Sequence, residues 1–384
     1  MTSSEHLTPE RINVILRRHA RSSNIMPVLI IAGDLFLYAL TLLAALFATS
    51  IWGQTLSALL NGLMIGVIFI LGHDACHGSF FKSRTLNQIF GRIAFFPSWH
   101  SFSLWNLWHN QNHHRYTNFK PKDYAFPPLS KSEFDQLNWR KRIQYRIYRS
   151  SIGHGLYYMW ELWWKKTIFP MKPYVSEKKP IYVWDSVWVV SFGLLFLGVL
   201  CWVPSLAVQA GLPSIPVWKA LVFGFVVPFL AWNWIMGFLI YQHHTHTSVA
   251  WFDDYQEWDY LHAQVDGSTH VKFPHYFNFL FHNIMEHTAH HAQTRIPLYR
   301  LCEAQRELEK QFSSRVVMVH WTWKEYFDTL RSCKLYDYQK HCWLDFSGAR
   351  TSICTLGEFA AVLRPREDRE LELPGQPNLS TQPV

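Results

Sequence analysis

Eight histidines fall into three short runs: His73-Asp74-Ala75-Cys76-His77, His109-Asn110-Gln111-Asn112-His113-His114 and His287-Thr288-Ala289-His290-His291. Imidazole is the commonest neutral metal ligand, and groups of it suit iron, zinc or copper. Each run holds a pair four residues apart: His73 and His77, His109 and His113, His287 and His291. On a helix, one turn then aims two or three imidazoles at one point. Eight ligands exceed the roughly four to six that one ion takes, so two ions held close together are expected. His243, His244 and His246 form a looser fourth group, one member of which is expected to complete the site. Asp74, Asn110, Asn283 and Glu286, with His282, His243 and His246, are candidates to orient the imidazoles through hydrogen bonds. His100, His154, His262, His270, His275 and His320 stand alone and read as surface or packing residues. No catalytic group separate from the ligands is singled out. Nitrogen ligands leave the metal open: zinc would imply hydrolysis, iron oxygen activation.

The elements that must position these runs are apolar. Four stretches are long enough, or nearly so, to cross a bilayer, which needs about 20 residues. They run over residues 25–47, 55–71, 181–203 and 217–241, and each histidine run lies just outside one of them or in the loops beyond. Of the 384 residues, 17% are aromatic, including 19 Trp, and only 17% are charged, a balance that favours a membrane protein. The mean hydropathy of −0.05 is low for that class because long polar segments dilute it. Asp34 lies inside the first span and is expected to face other helices rather than lipid.

Charge gives an orientation. Of 36 Lys and Arg, 4 precede the first span, 17 lie in residues 72–180, 14 follow residue 242, and only Lys219 is left over. The turns at 48–54 and 204–216 hold none. The excess of basic residues in cytoplasmic loops then places both termini, the central loop and all three histidine runs on the cytosolic side. The expected fold is all-α: four transmembrane helices in two hairpins, under a cytosolic helical cap that carries the metal site. Residues 1–24 form an N-terminal cytosolic segment, 25–345 the membrane domain, and 346–384 a tail expected to be disordered at its end. Residues 298–332 read as a soluble helical segment. The net charge of +8 is assigned to loops lying on anionic lipid, not to nucleic acid. Residues 1–24 are too polar for a secretory signal. The six Cys form no C-x-x-C pair and suggest neither a disulfide framework nor an iron–sulfur cluster.

Taken together, the runs resemble the histidine boxes of the membrane fatty acyl desaturases, with most likeness to the acyl-lipid Δ12/ω-6 branch. Gly72 to Phe80 is similar to the first box, and Trp108 to Asn118 to the second. Gln242 to His246, His282-Asn283, Glu286 to His291 and Ile296-Pro297-Leu298-Tyr299 are similar to the stretch through the third. The likeness covers roughly residues 30–310. It implies two irons held by His73, His77, His109, His113, His114, His287, His290 and His291, with His244 as a ninth ligand from its His-Thr context. It also implies O2 as co-substrate and electrons from a separate ferredoxin or cytochrome b5-like donor. The substrate would be an acyl-lipid, acyl-CoA or acyl-ACP, held in a tunnel to which Trp105, Trp232, Trp234 and Phe238 are candidates to contribute. The second box has three residues before its His pair where many relatives have two, and His243 is an extra histidine. These departures leave the double-bond position open. The alternative is another oxygenase of the same design: an acyl hydroxylase, epoxygenase or acetylenase, a carotenoid ketolase or hydroxylase, or an alkane hydroxylase.

Overall fold

A computed structural model describes residues 8–353 apart from 176 and 178. The tail expected to be disordered at its end falls, beyond residue 353, outside the described residues. The packed chain runs past the expected boundary at 345: Phe346 stacks among Phe134 and Tyr145, and the Thr351 N–H donates to the Trp343 carbonyl at 2.9 Å.

Four helices are long and apolar enough to cross a bilayer: Ile25–Phe47, Ile51–Cys76, Pro180–Gln209 and Val217–His244. The first agrees residue for residue with its expected bounds. The second is longer at both ends than the apolar run 55–71 that announced it. Its start is fixed by Ser50, whose hydroxyl accepts the Gly53 N–H at 3.0 Å, an N-cap. Its end continues through Gly72-His73-Asp74-Ala75-Cys76 because those residues are buried by neighbouring elements, not by lipid. The helix therefore carries His73 on its last turn and delivers His77 at its C-cap.

The spans divide by what covers them. The second is the hub: 67% of its most apolar window is buried inside the protein, against 11% for the first and 22% for the third. It packs against the first span, the fourth span and the helix Arg84–Phe95. Side chains such as Leu29, Phe36, Trp184, Leu194 and Leu195 stay exposed on the first and third spans, an apolar surface that suits hydrocarbon. Close approach matters at Gly237 on the fourth span, where a Cβ would sit 2.1 Å from the His154 carbonyl oxygen. Glycine there lets the short helix Gly153–Tyr157 cross the span at backbone contact.

Among the described residues the fold is mostly helical, as expected, with two short strand pairs beside the helices. Thr269–Lys272 pairs in parallel with Val317–His320, and Leu335–Asp337 pairs antiparallel with Cys342–Leu344. The stretch 298–332, expected to be a soluble helical segment, holds the helices Leu301–Gln311 and Trp323–Ser332 with a short strand between them. The β-branched Val316, Val317 and Val319 favour that strand. The main core runs from the second span into this region, with Phe69, Phe95, Trp105 and Trp232 packed around the buried His100.

Candidate metal centre

Nine histidines converge beside the C-terminal end of the second span, in two groups. His73, His77, His109, His114 and His290 form one; His113, His244, His287 and His291 form the other. Within each, one ring nitrogen per residue lies within 4.8 Å of all the rest. The Nε2 atoms of His109 and His114 are 3.0 Å apart, those of His114 and His290 3.2 Å, and those of His244 and His287 3.0 Å. All nine residues are those expected as ligands. The expectation that each run aims at one point holds only for His73 and His77. The second run gives His109 and His114 to the group of five and His113 to the other. The third gives His290 to the five, and His287 and His291 to the four.

Local geometry explains the split. Leu107–His114 is a π-helix, not the α-helix assumed from the four-residue spacing. Its hydrogen bonds run over five residues, so residues five apart come one above the other, which brings His109 and His114 edge to face at 4.5 Å between ring centroids. His113, one residue earlier, turns to the side. In the α-helix His287–Ala292, the adjacent His290 and His291 likewise point about 100° apart and diverge into different groups.

Burial, and then the repulsion of neighbouring imidazoles, holds His77, His109, His114, His287, His290 and His291 well below the usual histidine range. Each keeps a lone pair at neutral pH. His77 Nε2 and His291 Nε2 are buried ring nitrogens with no partner among the described residues. Buried polar atoms are rarely left so, and a cation is the partner that such lone pairs lack. The all-imidazole donor set and these orphaned nitrogens fit metal binding.

Two side chains outside the expected set fix ring tautomers. Asp123, fully buried, accepts the His113 Nδ1–H at 2.9 Å through Oδ1, and also the backbone N–H groups of Ala125 and Asn118. Gln264 Oε1 accepts the His291 Nδ1–H at 2.9 Å. Its amide is oriented by Nε2–H donating to the His114 carbonyl at 2.8 Å. In both histidines Nε2 is left as the outward lone pair. Asp123 lies ten residues beyond His113 and Gln264 in a different segment; neither carries a local sequence pattern that separates it from an ordinary polar loop residue.

The residues expected to orient the imidazoles are bonded elsewhere. Asp74 accepts from Ser79 Oγ at 2.7 Å and the Leu298 N–H at 3.2 Å. Asn110 donates to the Cys76 carbonyl and Asn283 to the Leu298 carbonyl. His246 meets Glu325, His282 meets Asp34, and Glu286 meets His270 Nε2 at 2.8 Å. His243 alone touches a ligand candidate, stacking on His287 at 3.7 Å between ring centroids. They brace the segments that carry the histidines rather than the rings themselves. Of the isolated histidines, His100 and His154 pack in the interior, bonded to Tyr158 and Tyr326 hydroxyls.

A cavity of about 800 Å³, open mouth included, ends on His73, His109, His113, His243, His244 and His287. Phe69, Ile70, Trp105, Leu162, Met236 and Leu239 contribute its apolar wall. Trp105 lines it as expected; Trp232 packs in the core instead, and neither Trp234 nor Phe238 is in the wall. An apolar wall of this kind suits a hydrocarbon ligand.

Comparison with known proteins agrees with this geometry. The model of the fatty acid desaturase family matches residues 49–323. The chain is 25% identical over 311 residues to the sn-1 oleoyl-lipid 12-desaturase of Picosynechococcus sp., covering 79% of this chain and 82% of that one. It is 28% identical over 278 residues to the enzyme of the same name from Synechocystis sp., covering 72% and 74%. Against the chloroplastic omega-6 fatty acid desaturase of Glycine max it is 27% identical over 287 residues, covering 73% of this chain and 62% of that one.

Proposed function

The chain belongs to the fatty acid desaturase family and is an integral membrane oxidoreductase acting on fatty acyl chains; from that premise we propose that it is an acyl-lipid desaturase of Δ12/ω-6 type with a two-iron centre. The observation that carries the reading is the convergence of nine imidazoles into two groups at the end of an acyl-sized apolar cavity. His73, His77, His109, His114 and His290 would hold one iron, and His113, His244, His287 and His291 the other. Iron bound there supplies the redox chemistry by which O2 removes two hydrogens from an unactivated acyl chain, with electrons from an external ferredoxin or cytochrome b5-like donor.

The protein's own contribution is positional. Asp123 and Gln264 hold the His113 and His291 rings in one tautomer each and make their Nε2 lone pairs more basic. Trp105 stacks on His109 at 5.0 Å and also lines the cavity, so one residue supports a ligand and shapes the cavity wall. The apolar wall orients the chain and excludes water that would quench a reactive centre.

The topology read from charge completes the proposal. The four spans form two hairpins, with both termini, the central loop and the histidines on the cytosolic side, and residues 25–345 as the desaturase domain. The relatives named for oleoyl lipid support a Δ12 position on an acyl lipid.

The test is expression of the full chain in a host that lacks the product, beside an empty vector and His290→Ala. Double bonds are located by mass spectrometry of derivatised methyl esters. A new Δ12 double bond made only by the intact chain is expected, with about two irons per purified chain. A hydroxy or epoxy acid in its place would overturn the desaturase assignment, and a different bond position the Δ12 assignment.

A further inference from the structure

Besides the histidines and the Asp123 carboxylate that supports them, the cavity wall holds a second polar patch. It consists of Tyr124, Lys166 and Thr167. Lys166 ends the π-helical segment Tyr158–Thr167 and is only 3% exposed. Its ammonium sits in an aromatic cage, 4.4 Å from the Tyr124 ring centroid, 4.8 Å from Tyr174 and 5.8 Å from Trp108. It donates to the Glu161 backbone carbonyl. The Glu161 carboxylate itself is engaged by Lys165 at 2.6 Å and by the Tyr148 hydroxyl at 3.1 Å.

An ammonium has three N–H donors. Among the described residues Lys166 has one hydrogen-bond acceptor and no carboxylate partner. Burial pulls its pKa down to about 8, against the raising charge of Glu161, so it remains mostly cationic at neutral pH. Aromatic faces stabilise the charge but give its remaining N–H groups little to bond. A buried cation with no carboxylate in contact is costly, and an oxygen ligand entering the cavity would relieve that cost. An acyl lipid brings such an oxygen at one end of its chain only.

We propose that Lys166, in its cage of Tyr124, Trp108 and Tyr174, anchors the polar end of the acyl substrate by donating to an ester-carbonyl or phosphate oxygen. The distance from this anchor to the histidines then sets which carbons are presented for oxidation. The inference rests on the acyl-desaturase reading above and adds to it a group that measures position along the chain.

The experiment uses the full-length iron-loaded protein in lipid nanodiscs with a reducing system, comparing wild type, Lys166→Met and Lys166→Arg. Lys166→Met should retain its iron and raise KM about tenfold, the loss of one charge-assisted hydrogen bond. Its double bonds should scatter over neighbouring positions, while Lys166→Arg keeps a single position. Unchanged KM and a single bond position in Lys166→Met would overturn the anchor. If Lys166→Met does not accumulate, the wild type is assayed on two lipids: an ether-linked phospholipid without the ester carbonyl, and a diacylglycerol without phosphate. Selective loss of turnover on one identifies the oxygen bound; equal turnover on both overturns the proposal. A wild type that makes no double bond on any acyl lipid overturns the desaturase reading and the anchor with it, whereas a wild type and Lys166→Met that desaturate identically overturn the anchor alone.

Discussion

The two histidine groups are held in place by different means. In the group of four, His113 and His291 are tied from outside by a buried carboxylate and a buried amide. In the group of five, among the described residues, no imidazole hydrogen-bonds to anything but another histidine of the group. Those five rings are fixed by the helices that carry them and by packing, with Trp105 stacked on His109 and His73 set between His77, His109 and His290. One group is oriented by directional bonds, the other by shape. Hydrogen bonds to a ligand's far nitrogen fix tautomer and raise basicity; packing fixes only direction. The lesson is that two sites built from one ligand type can differ in affinity and in electron richness through their surroundings alone.

The largest effect tests whether the groups work as a unit. His290→Ala removes a ring from the packed group and should bring desaturation below detection with the protein still in the membrane, as read by product analysis and immunoblot. Asp123→Asn keeps shape and removes the negative acceptor behind His113. Metal affinity or activity should fall about 10–100-fold, with iron content dropping towards one per chain as the group of four empties. Equal loss from both groups, seen by metal analysis or Mössbauer spectroscopy, would break the comparison. Gln264→Leu deletes a neutral acceptor and should lie at the lower end, about tenfold. Trp105→Leu touches only the packed group; a stability loss of about 2 kcal/mol, seen as a lower Tm, should exceed its effect on iron in the other group. Smallest in activity is His154→Ala. Its bond to Tyr326 and its tilted ring contact with Tyr241, 4.3 Å between centroids, predict a less stable protein, by about 1–2 kcal/mol, with normal turnover per folded molecule.

Much of this was legible in the chain. Apolar runs placed four spans, and the first matched to the residue: its apolar run begins where the Ser23 hydroxyl accepts the Ile25 and Met26 N–H groups. The second was read five residues short at its C-terminus, since Gly72 to Cys76 is polar enough to look like loop and becomes helix only through burial by other segments. His244 came from the family resemblance through its His-Thr context, and spacing found the other eight converging histidines. It did not find their division, because a π-helix has the same residues as an α-helix and differs in which neighbour lies above which. Asp123 and Gln264 were invisible for another reason: their roles arise from folding distant loops onto the rings, and a lone Asp or Gln carries no period. The strand at Val317–His320 was missed because its partner, Thr269–Lys272, lies far away in sequence.

The contact between Asp34 and His282 bears on how the molecule is made. The carboxylate sits within the first apolar span, and its partner at 2.7 Å is 248 residues further along. During synthesis the first span must therefore enter the bilayer with its acid uncompensated, at a cost of about 2.5–3.5 kcal/mol on insertion scales. That debt is settled only when the segment bearing the third histidine run has been translated and has docked. Early insertion is thus reversible and completion locks it, so a nascent chain stopped before residue 282 should retain its first span less firmly than the finished protein, a difference that glycosylation reporters on staged truncations would register.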